Sequence, residues 1–442
     1  MACDGAAGGF YRPRKPKESP FYRLVERFYP EFEQVYEQRY QKRYGFWRPA
    51  VASAVEKFLE CGDARHGFAR VRCPECAHEF FVAFSCRGRC FCPSCHRKRA
   101  LTTAHWVSRE VCAPVPHRQF VLTIPKRLRI YFRFDRRLLG RLCRAAWKVI
   151  RSVHAAAADR PEAAPGMIGA IQTFGDLVHW HPHIHALVTE GVFQPEGTFL
   201  PLPKLAAEPF LKLWEKAVFK LLLDEGRITH EIIDNIRSWR HSGFSVDHSV
   251  RLDAGDTQGV ERLIEYFLRC PFSQARMIQV TEEGKVLYKT GGNRLGRFPE
   301  AASEDLLAGP ARNFQIFEPL DFLAEVTQHV PEPGEHLIRY YGWYSNKKRG
   351  LRAKAKTKDA SSEGNGESIL GPDRKTARKR WAALIKQVYE TDPLLCPKCG
   401  GEMKIISFIE RHQSEVIEKI LKHCGMWQDE SARAPPEEAM TG

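Results

Sequence analysis

The spacing of hydrophobic residues changes along the chain, and this change predicts where helices and strands alternate. Between residues 21 and 59, aromatic and aliphatic side chains recur every three or four positions, which predicts helices. Further on, short runs rich in β-branched and aromatic residues predict strands at 119–124, 168–174 and 183–188. Helical patterns separate these runs, at 136–157, 208–224 and 256–269. Mixed helices and strands, with two strands joined by a short polar segment, predict an α+β domain with a central antiparallel sheet flanked by helices.

Composition narrows the class of protein. The 442 residues contain 68 Lys and Arg against 53 Asp and Glu, a formal charge of +15, and such an excess indicates a polyanionic partner. No run of eighteen apolar residues is present, so we expect no membrane span, and the first residues lack the apolar core of a secretory signal. Fourteen cysteines without such a signal predict metal-binding thiolates in a reducing compartment, the cytoplasm.

Two cysteine pairs near the N-terminus have the spacing of zinc ligands. Cys73 and Cys76 form one Cys-x-x-Cys knuckle, and Cys92 and Cys95 form another. A gap of two residues turns both sulfurs of a knuckle toward one ion, and a second knuckle completes a tetrahedral shell. We therefore predict one structural zinc held by these four residues. Neighbouring residues could serve a second ion or simply pack: Cys61, His66, Cys86 and Cys90.

A third knuckle lies near the C-terminus, at Cys396 and Cys399. One knuckle supplies two ligands, so a second zinc here needs two more, from His412, His423 or Cys424.

The most informative segment contains four histidines within residues 178–185. In an extended strand, residues two apart face the same side, so His183 and His185 project together while Ile184 points into the core. Two such imidazoles can chelate a divalent cation that also holds a phosphate oxygen. The third ligand is expected from Gln172 on the preceding strand, and His181 is the competitor.

Several motifs together resemble a known family. A His-x-His pair follows a strand ending in Gln172-Thr-Phe-Gly175, as in the HUH endonucleases. More narrowly, the chain resembles the rolling-circle transposases of the insertion-sequence ninety-one type, with an N-terminal zinc-binding domain. The resemblance runs from about residue 20 to residue 425 and is carried by residues 84–95 (FSCRGRCFCPSC), 116–125 (PHRQFVLTIP), 181–185 (HPHIH) and 336–345 (HLIRYYGWYS).

This resemblance implies an HUH fold and a reaction. A tyrosine would attack a phosphodiester of single-stranded DNA, with Mg²⁺ or Mn²⁺ bound at the histidines, leaving a 5′-phosphotyrosine and a free 3′-hydroxyl. The matching tyrosine is Tyr266. The family's second tyrosine position, four residues on, holds Cys270, so this chain would use one tyrosine twice or recruit another. The rival tyrosines are Tyr340, Tyr341 and Tyr344.

We expect the DNA backbone to be bound by basic residues near these motifs: Arg97, Lys98, Arg99, Arg269, Arg276, Arg339, Lys347, Lys348 and Arg349. The expected partner is single-stranded DNA at transposon ends and target, in a bacterial, nucleoid-associated setting. The sequence leaves open whether the chain forms a homodimer. It also leaves a replication initiator or relaxase, and a non-catalytic zinc-dependent regulator, as alternative functions.

The predicted order of segments follows from these motifs and from composition. It is a flexible basic tail (1–20), a helical and zinc-binding DNA-binding domain (21–105), an HUH catalytic domain (115–290), its C-terminal extension (291–350), a basic linker (351–380) and a small C-terminal unit with a zinc knuckle (381–442). The linker is nearly free of large apolar residues, whereas residues 381–388 and 416–423 predict helices in the last unit.

Overall fold

The computed structural model describes residues 9–10, 16–175, 177–281, 283–291, 296–297, 311–361, 391–392 and 394–427. The chain divides into two compact units. Unit 1 comprises Met1–Lys17, Glu60–Cys86 and Leu370–Gly442, and unit 2 comprises Glu18–Leu59 and Arg87–Ile369. No helix within these described residues is long and apolar enough to cross a membrane.

Unit 1 is built on a three-stranded antiparallel sheet in the order β18-β2-β3. Its elements are strands β1 (Gly9–Phe10), β2 (Phe68–Arg72), β3 (Glu79–Ala83), β17 (Thr391–Asp392) and β18 (Lys404–Ile409), and helix α12 (Ser414–His423). Apolar residues of the sheet, including Val71, Val82 and Ile405, form a small core. The amphipathic helix α12 buries Ile417 and Leu421 in a second cluster with Phe68.

Unit 2 carries the larger sheet. Its helices are α1 (Pro20–Arg39), α2 (Gln41–Tyr44), α3 (Pro49–Leu59), α4 (Pro93–Trp106), α5 (Arg129–Phe134), α6 (Arg137–Ala158), α7 (Ala207–Asp224), α8 (His230–Arg237), α9 (Thr257–Phe267), α10 (Pro319–Thr327) and α11 (Asn346–Ser361). Its strands are β4 (His117–Thr123), β5 (Gly166–Phe174), β6 (Trp180–Thr189), β7 (Gly191–Phe193), β8 (Phe199–Pro201), β9 (Ser245–Asp247), β10 (Arg251–Leu252), β11 (Met277–Val280), β12 (Val286–Lys289), β13 (Gly296–Arg297), β14 (Ala311–Arg312), β15 (Phe314–Phe317) and β16 (Ile338–Gly342).

Six antiparallel strands form the central sheet of unit 2, in the order β10-β4-β6-β5-β16, with β9 also paired to β4. Every residue of β5 is buried, because both faces of this strand are covered. One face packs against α6 and α7 through residues such as Ile184 and Leu142. The opposite face packs against α9 through Ile168, Leu187 and Ile264. Since side chains alternate along a strand, β6 sends alternate residues into these two layers.

The mixed helices and antiparallel sheet confirm the predicted α+β class, and the predicted strands and helices of 119–269 are present with small shifts at their ends. The predicted linker is corrected in its first part. Helix α11 runs through residues 351–361, because Ala, Lys and Arg have high helix propensity even without apolar partners. The rest of the linker and the predicted helix at 381–388 lie outside the described residues.

Segment 21–105 is divided between both units. Residues 60–86 group with the C-terminal segment because β18 pairs along β2, from Phe68 opposite Ile409 to Arg72 opposite Lys404.

Candidate active site and metal centres

The histidine pair lies on the central strand β6, on the face covered by α9. His183 and His185 are buried, and their Nε2 atoms are 3.0 Å apart. Two ligand nitrogens at right angles, each about 2.1 Å from one ion, would also lie about 3.0 Å apart. The strand therefore brings the two nitrogens together at the separation that a shared cation requires.

The ring of His183 is oriented by its other nitrogen. Its Nδ1 donates to the backbone oxygen of His181 at 2.8 Å, so Nε2 carries the lone pair. The Nδ1 atom of His185 lies 3.3 Å from the side-chain nitrogen of Gln119 on β4. A cation on Nε2 of His185 needs a proton on Nδ1, and rotation of the Gln119 amide would present its oxygen to accept that proton.

Burial keeps both imidazoles neutral. Burial is the largest cause that brings the pKa of His183 to about 4 and that of His185 to about 2, and the charge of the nearby Arg269 guanidinium is a smaller part of both shifts. Because only the neutral ring can offer a lone pair to a metal, both residues are ready to act as ligands at neutral pH.

Gln172 lies directly opposite His183 in the register of β5 and β6. Its side-chain nitrogen donates to the backbone oxygens of Tyr266 (3.0 Å) and Phe267 (2.9 Å), which fixes the amide. The side-chain oxygen of Gln172 is buried and has no hydrogen-bond partner among the described residues. Such an orphaned oxygen fits a third ligand of a divalent ion.

His181, the competitor, also has a buried Nε2 without a partner in the described part of the chain. Its ring centre is 5.1 Å from that of His183. Burial lowers the pKa of His181 to about 3, with a further contribution from Arg129. His181 therefore remains a candidate ligand by its chemistry, but it lacks the fixed orientation of the Gln172 amide.

Tyr266 lies in the last turn of α9, and its ring is 42% exposed. The ring meets His185 edge to face, with centres 5.4 Å apart. The guanidinium carbon of Arg269 lies 4.6 Å from the centre of the Tyr266 ring and 5.3 Å from that of Phe174. The structure therefore brings together the histidine pair, Gln172, Tyr266 and Arg269.

The rival tyrosines are less suited to attack a phosphate. Tyr344 is fully buried, and its hydroxyl is within 2.7 Å of Nε2 of His117. Tyr341 stacks on Trp147, and its hydroxyl is buried. Burial raises the pKa of Tyr340 to about 12, so its phenolate is costly to form. All three belong to β16 or the turn after it, on the far side of β5 from β6.

Cys270 lies beyond the end of α9 and is not on the helical face of Tyr266. Burial raises the pKa of its thiol well above the usual range. Its position therefore offers no second nucleophile beside Tyr266.

The predicted basic residues fall into two groups. Arg97, Arg269 and Arg276 line one cavity beside the end of α9, with a volume of about 410 Å³. Lys98 and Arg99 lie on α4, and the others lie on β16 or α11: Arg339, Lys347, Lys348 and Arg349. Arg349 packs over the ring of Trp106 at 5.0 Å, whereas Lys347 and Lys348 are exposed.

A cluster of four sulfurs forms within unit 1. Cys73, Cys76, Cys396 and Cys399 have their sulfurs within 4.8 Å of one another. Two of the separations are 3.5 Å, Cys73 to Cys399 and Cys76 to Cys396. Zinc–sulfur bonds of about 2.3 Å in a tetrahedron place the sulfurs about 3.8 Å apart, so the cluster fits one zinc ion.

The two knuckles of this cluster have the same backbone conformation. In each, the residue four after the first cysteine has a left-handed φ, 58° at Ala77 and 73° at Gly400. Its nitrogen donates to the oxygen of that cysteine, at 3.1 Å to Cys73 and 2.9 Å to Cys396. These matched turns aim two pairs of sulfurs at one point.

This arrangement corrects the predicted pairing of knuckles. Cys73 and Cys76 join Cys396 and Cys399, so Cys92 and Cys95 take no part in this cluster. Cys92 and Cys95 instead begin helix α4 of unit 2, where Cys92 is the N-cap and both are buried. The ligands expected to complete the C-terminal knuckle are likewise replaced, since none of these belongs to the cluster: His412, His423 and Cys424.

Sequence reasoning missed two residues of unit 2. Gln119, beside His185, could have been found from its place on the neighbouring strand, but a single glutamine carries no motif. Glu325 is buried and accepts from Tyr44 at 2.8 Å, and Nδ1 of His179 lies 3.1 Å from it. No local pattern signals this pair, because its members come from distant segments.

Comparisons with known proteins identify families that match two parts of the chain. Residues 166–350 match the family described as "Putative transposase", and residues 31–124 match the family described as "Transposase zinc-binding domain". The chain is 25% identical over 378 residues to the transposase for insertion sequence element IS801 from Pseudomonas savastanoi pv. phaseolicola, covering 81% of this chain and 84% of that protein. It is also 25% identical to "Putative transposase y4qJ" from Sinorhizobium fredii (strain NBRC 101917 / NGR234), covering 79% of this chain and 87% of the relative.

No solved structure matches the chain. The two matched families and the two relatives nevertheless agree with each other along most of its length. Together these matches support a transposase of the insertion-sequence ninety-one type with an N-terminal zinc-binding domain.

Proposed function

We propose that this transposase is an HUH-type enzyme that nicks and rejoins single-stranded DNA at transposon ends through a 5′-phosphotyrosine at Tyr266. The observation that carries the proposal is the contact of Tyr266 with His185, whose Nε2 lies 3.0 Å from that of His183. The proposed nucleophile Tyr266, the proposed metal ligands His183 and His185, and the guanidinium of Arg269 therefore lie close together on one face of the sheet. The proposed setting is the bacterial cytoplasm, at the nucleoid.

His183, His185 and Gln172 would hold a divalent cation, Mg²⁺ or Mn²⁺. Their fit rests on two neutral imidazole nitrogens and the orphaned side-chain oxygen of Gln172. When bound, such an ion neutralises the charge on the scissile phosphate and withdraws electron density from it. Gln119 would orient His185 from behind, as outer residues do at many metal sites.

Tyr266 would act on the phosphorus itself. Its hydroxyl oxygen forms a bond to phosphorus as the phenolic proton leaves, and the bond from phosphorus to the 3′ oxygen breaks. The released 3′ oxygen takes up a proton, so a free 3′-hydroxyl remains and the 5′ end stays on Tyr266. Because the phosphodiester is exchanged for a phosphotyrosine ester, rejoining needs no outside energy source.

Arg269 would bind the same phosphate. Its guanidinium lies over the ring of Tyr266 at 4.6 Å, so its charge is available where negative charge develops during attack. Tyr266 extends from the last turn of α9 and is 42% exposed, which leaves room for a single strand to reach it.

The sulfur cluster of unit 1 would hold a structural zinc. Four cysteines without an open position fit a structural site rather than a catalytic one.

The test is a covalent capture assay. Full-length protein, labelled single-stranded DNA bearing a transposon end and Mg²⁺ or Mn²⁺ are expected to give an adduct that survives denaturation. Tyr266→Phe keeps the ring packing on His185 and removes the hydroxyl, so the adduct should vanish while DNA binding persists. Tyr340→Phe is the matched control and should still form the adduct. Adduct formation by Tyr266→Phe but not by Tyr340→Phe would refute the assignment of the nucleophile.

A further inference from the structure

The 410 Å³ cavity beside the active site has features that the cleavage chemistry does not use. Its walls come from the first turns of α4, the end of β5, the loop after α9 and strand β12. Cavities that bind small organic groups commonly measure about 300–1,000 Å³, so this one has room for a single nucleotide.

The charge of the cavity is positive. Three arginines, Arg97, Arg269 and Arg276, face a single carboxylate, Glu265, among its lining residues. The three arginines come from different elements, and planar guanidinium groups can bind phosphate with two parallel hydrogen bonds. Pro93 and Ser94, in the first turn of α4, line the same cavity.

The floor of the cavity is apolar. Phe174, Phe272 and Tyr288 line it, and each is less than 5% exposed. A positive rim above an aromatic floor matches a nucleotide, which combines a flat base with an anionic phosphate.

The cavity walls are held in place by hydrogen bonds within unit 2. Nε2 of His96 on α4 donates to the backbone oxygen of Leu268 at 2.6 Å, and its Nδ1 accepts from the backbone nitrogen of Cys90 at 2.9 Å. These two bonds fix α4 against the segment that follows α9. The site is therefore formed before any ligand arrives, which lowers the cost of binding.

We propose that this cavity binds one unpaired nucleotide of the DNA strand, next to the phosphate attacked by Tyr266. Arg269 links the two places, because it lines the cavity and also lies over the Tyr266 ring. The base enters the apolar floor, and its phosphate is bound by Arg97 and Arg276. The inference rests on the proposed function, since it places the neighbouring phosphate at Tyr266. It adds that the enzyme needs a splayed base, which a paired duplex cannot supply.

The experiment measures binding without cleavage, in full-length protein carrying Tyr266→Phe. The probe is a fluorescein-labelled oligothymidylate, and anisotropy is recorded over a range of salt concentrations. Arg97→Gln should weaken binding about tenfold and reduce the slope of log affinity against log salt by about 0.7, the value for one lost phosphate contact on a single strand. Arg151→Gln, at an exposed position of α6 that does not line the cavity, is the matched control and should keep the slope.

A second pair of variants tests the base. Ala275 is exposed at the cavity, so Ala275→Trp can place a ring in it without disturbing the core. The wild-type preference for oligothymidylate over an abasic oligomer of equal length should fall about tenfold in this variant, the contribution of one base. Ala157→Trp, at an exposed position of α6, should keep the full preference.

Equal effects of Arg97→Gln and Arg151→Gln, or of Ala275→Trp and Ala157→Trp, would overturn the inference. The covalent capture assay with unmodified Tyr266 is run beside these measurements. If the adduct forms but each variant and its control bind DNA equally well, the nucleotide site is refuted and the proposed cleavage stands. If no adduct forms but the variants differ from their controls as expected, the proposed cleavage is refuted and the nucleotide site stands.

Discussion

The four-sulfur cluster of unit 1 and the histidine pair of unit 2 assemble their ligands in opposite ways. His183 and His185 are two residues apart on one strand, and the alternation of that strand alone places both on the same face. Cys73 and Cys399 are 326 residues apart and meet because β18 pairs with β2. One site is specified locally, and the other depends on a distant strand pairing.

The two sites also differ in what a metal would contribute. The histidine pair is buried under α9 and tied to Gln119 and Gln172 by the packing of the sheet. The sulfurs of unit 1 lie on two turns whose ends are anchored only by short strands. We therefore expect metal removal to dismantle unit 1 and to leave the sheet of unit 2 folded.

The largest effect is expected from loss of the sulfur cluster. Cys396→Ser with Cys399→Ser removes half of the proposed zinc shell, and binding energy at such sites, on the order of 10 kcal/mol, doubles as folding energy. Metal analysis should show loss of zinc, and limited proteolysis should cut within 60–86 and 394–427. Cys424→Ser, an exposed cysteine of the same segment outside the cluster, is the control and should keep both metal and protection. Equal zinc content in both proteins would break the comparison.

The next effect concerns an ion pair between the buried Glu325 and the partly exposed His179, the residue before the histidine strand β6. Burial alone would raise the pKa of Glu325, but its hydrogen bond to His179 and the charge of that ring lower it to about 2. Burial would lower the pKa of His179, but the same carboxylate reverses the shift and raises it. Because solvent screens the partly exposed His179, replacing one partner is expected to cost about 1–3 kcal/mol, the cost of leaving a buried polar group without its partner.

The pH dependence of this pair follows from the two shifts. The contribution of Glu325 to folding stability is present above its ordinary pKa of 4.5 and is lost as pH falls toward about 2. The contribution of His179 is present below its ordinary pKa of 6.5 and is lost as pH rises through its raised pKa in the folded protein. The difference in unfolding temperature between wild type and Glu325→Gln should therefore be largest between about pH 4.5 and pH 6.5, and it should become smaller as the solution is made more acidic. A gap that is constant from pH 2 to pH 7 would show that the pair is not ionised.

Loss of a histidine ligand comes third. His183→Ala or His185→Ala should reduce strand cleavage about a hundredfold to a thousandfold, since charge stabilisation at the phosphate is weakened. Excess Mn²⁺ should restore part of the activity, and circular dichroism should show an intact fold. His105→Ala, a partly exposed histidine of α4 outside the site, is the control. Unfolding by either substitution would mean that the metal site of unit 2 is structural like that of unit 1.

The smallest effect is expected at Gln119. Gln119→Leu keeps the volume but removes the group that orients His185, and such outer residues contribute about tenfold to a hundredfold in metal affinity. The Mn²⁺ concentration that gives half of the maximal cleavage rate should rise, while the maximal rate itself changes little. A change in maximal rate at saturating Mn²⁺ would show that Gln119 acts on the cleavage step itself and not only on metal affinity.

How much could be predicted from sequence depends on how far apart the cooperating residues lie. The alternation of β6 predicted that His183 and His185 share a face, and Gln172 was expected to come from the preceding strand. The position of Gln172 directly opposite His183 became known only from the register of β5 and β6. The partner of Cys73 and Cys76 was assigned by spacing to Cys92 and Cys95. That assignment was wrong, because nothing in a knuckle's own sequence specifies which distant strand will bring a second knuckle to it.

Composition also left local structure open at the start of the predicted linker. Residues 351–380 were expected to be a basic linker because they are nearly free of large apolar residues, and helix α11 extends into them as far as Ser361. Alanine, lysine and arginine favour the helical backbone in themselves, and the helix begins directly after the turn that follows β16.

Because β18 pairs with β2, the four-sulfur cluster can form only late in the synthesis of the chain. The ribosome makes Cys76 some 320 residues before Cys396, which at about 5–20 residues per second leaves the first knuckle waiting for about 15–60 seconds. The second part of unit 2, Arg87–Ile369, is made during that interval and contains every strand of its central sheet, so that sheet can close first. A chain broken off before Cys396 would carry the histidine site but only two of the four sulfurs. The cluster is therefore a feature that only a chain translated past Cys399 can complete.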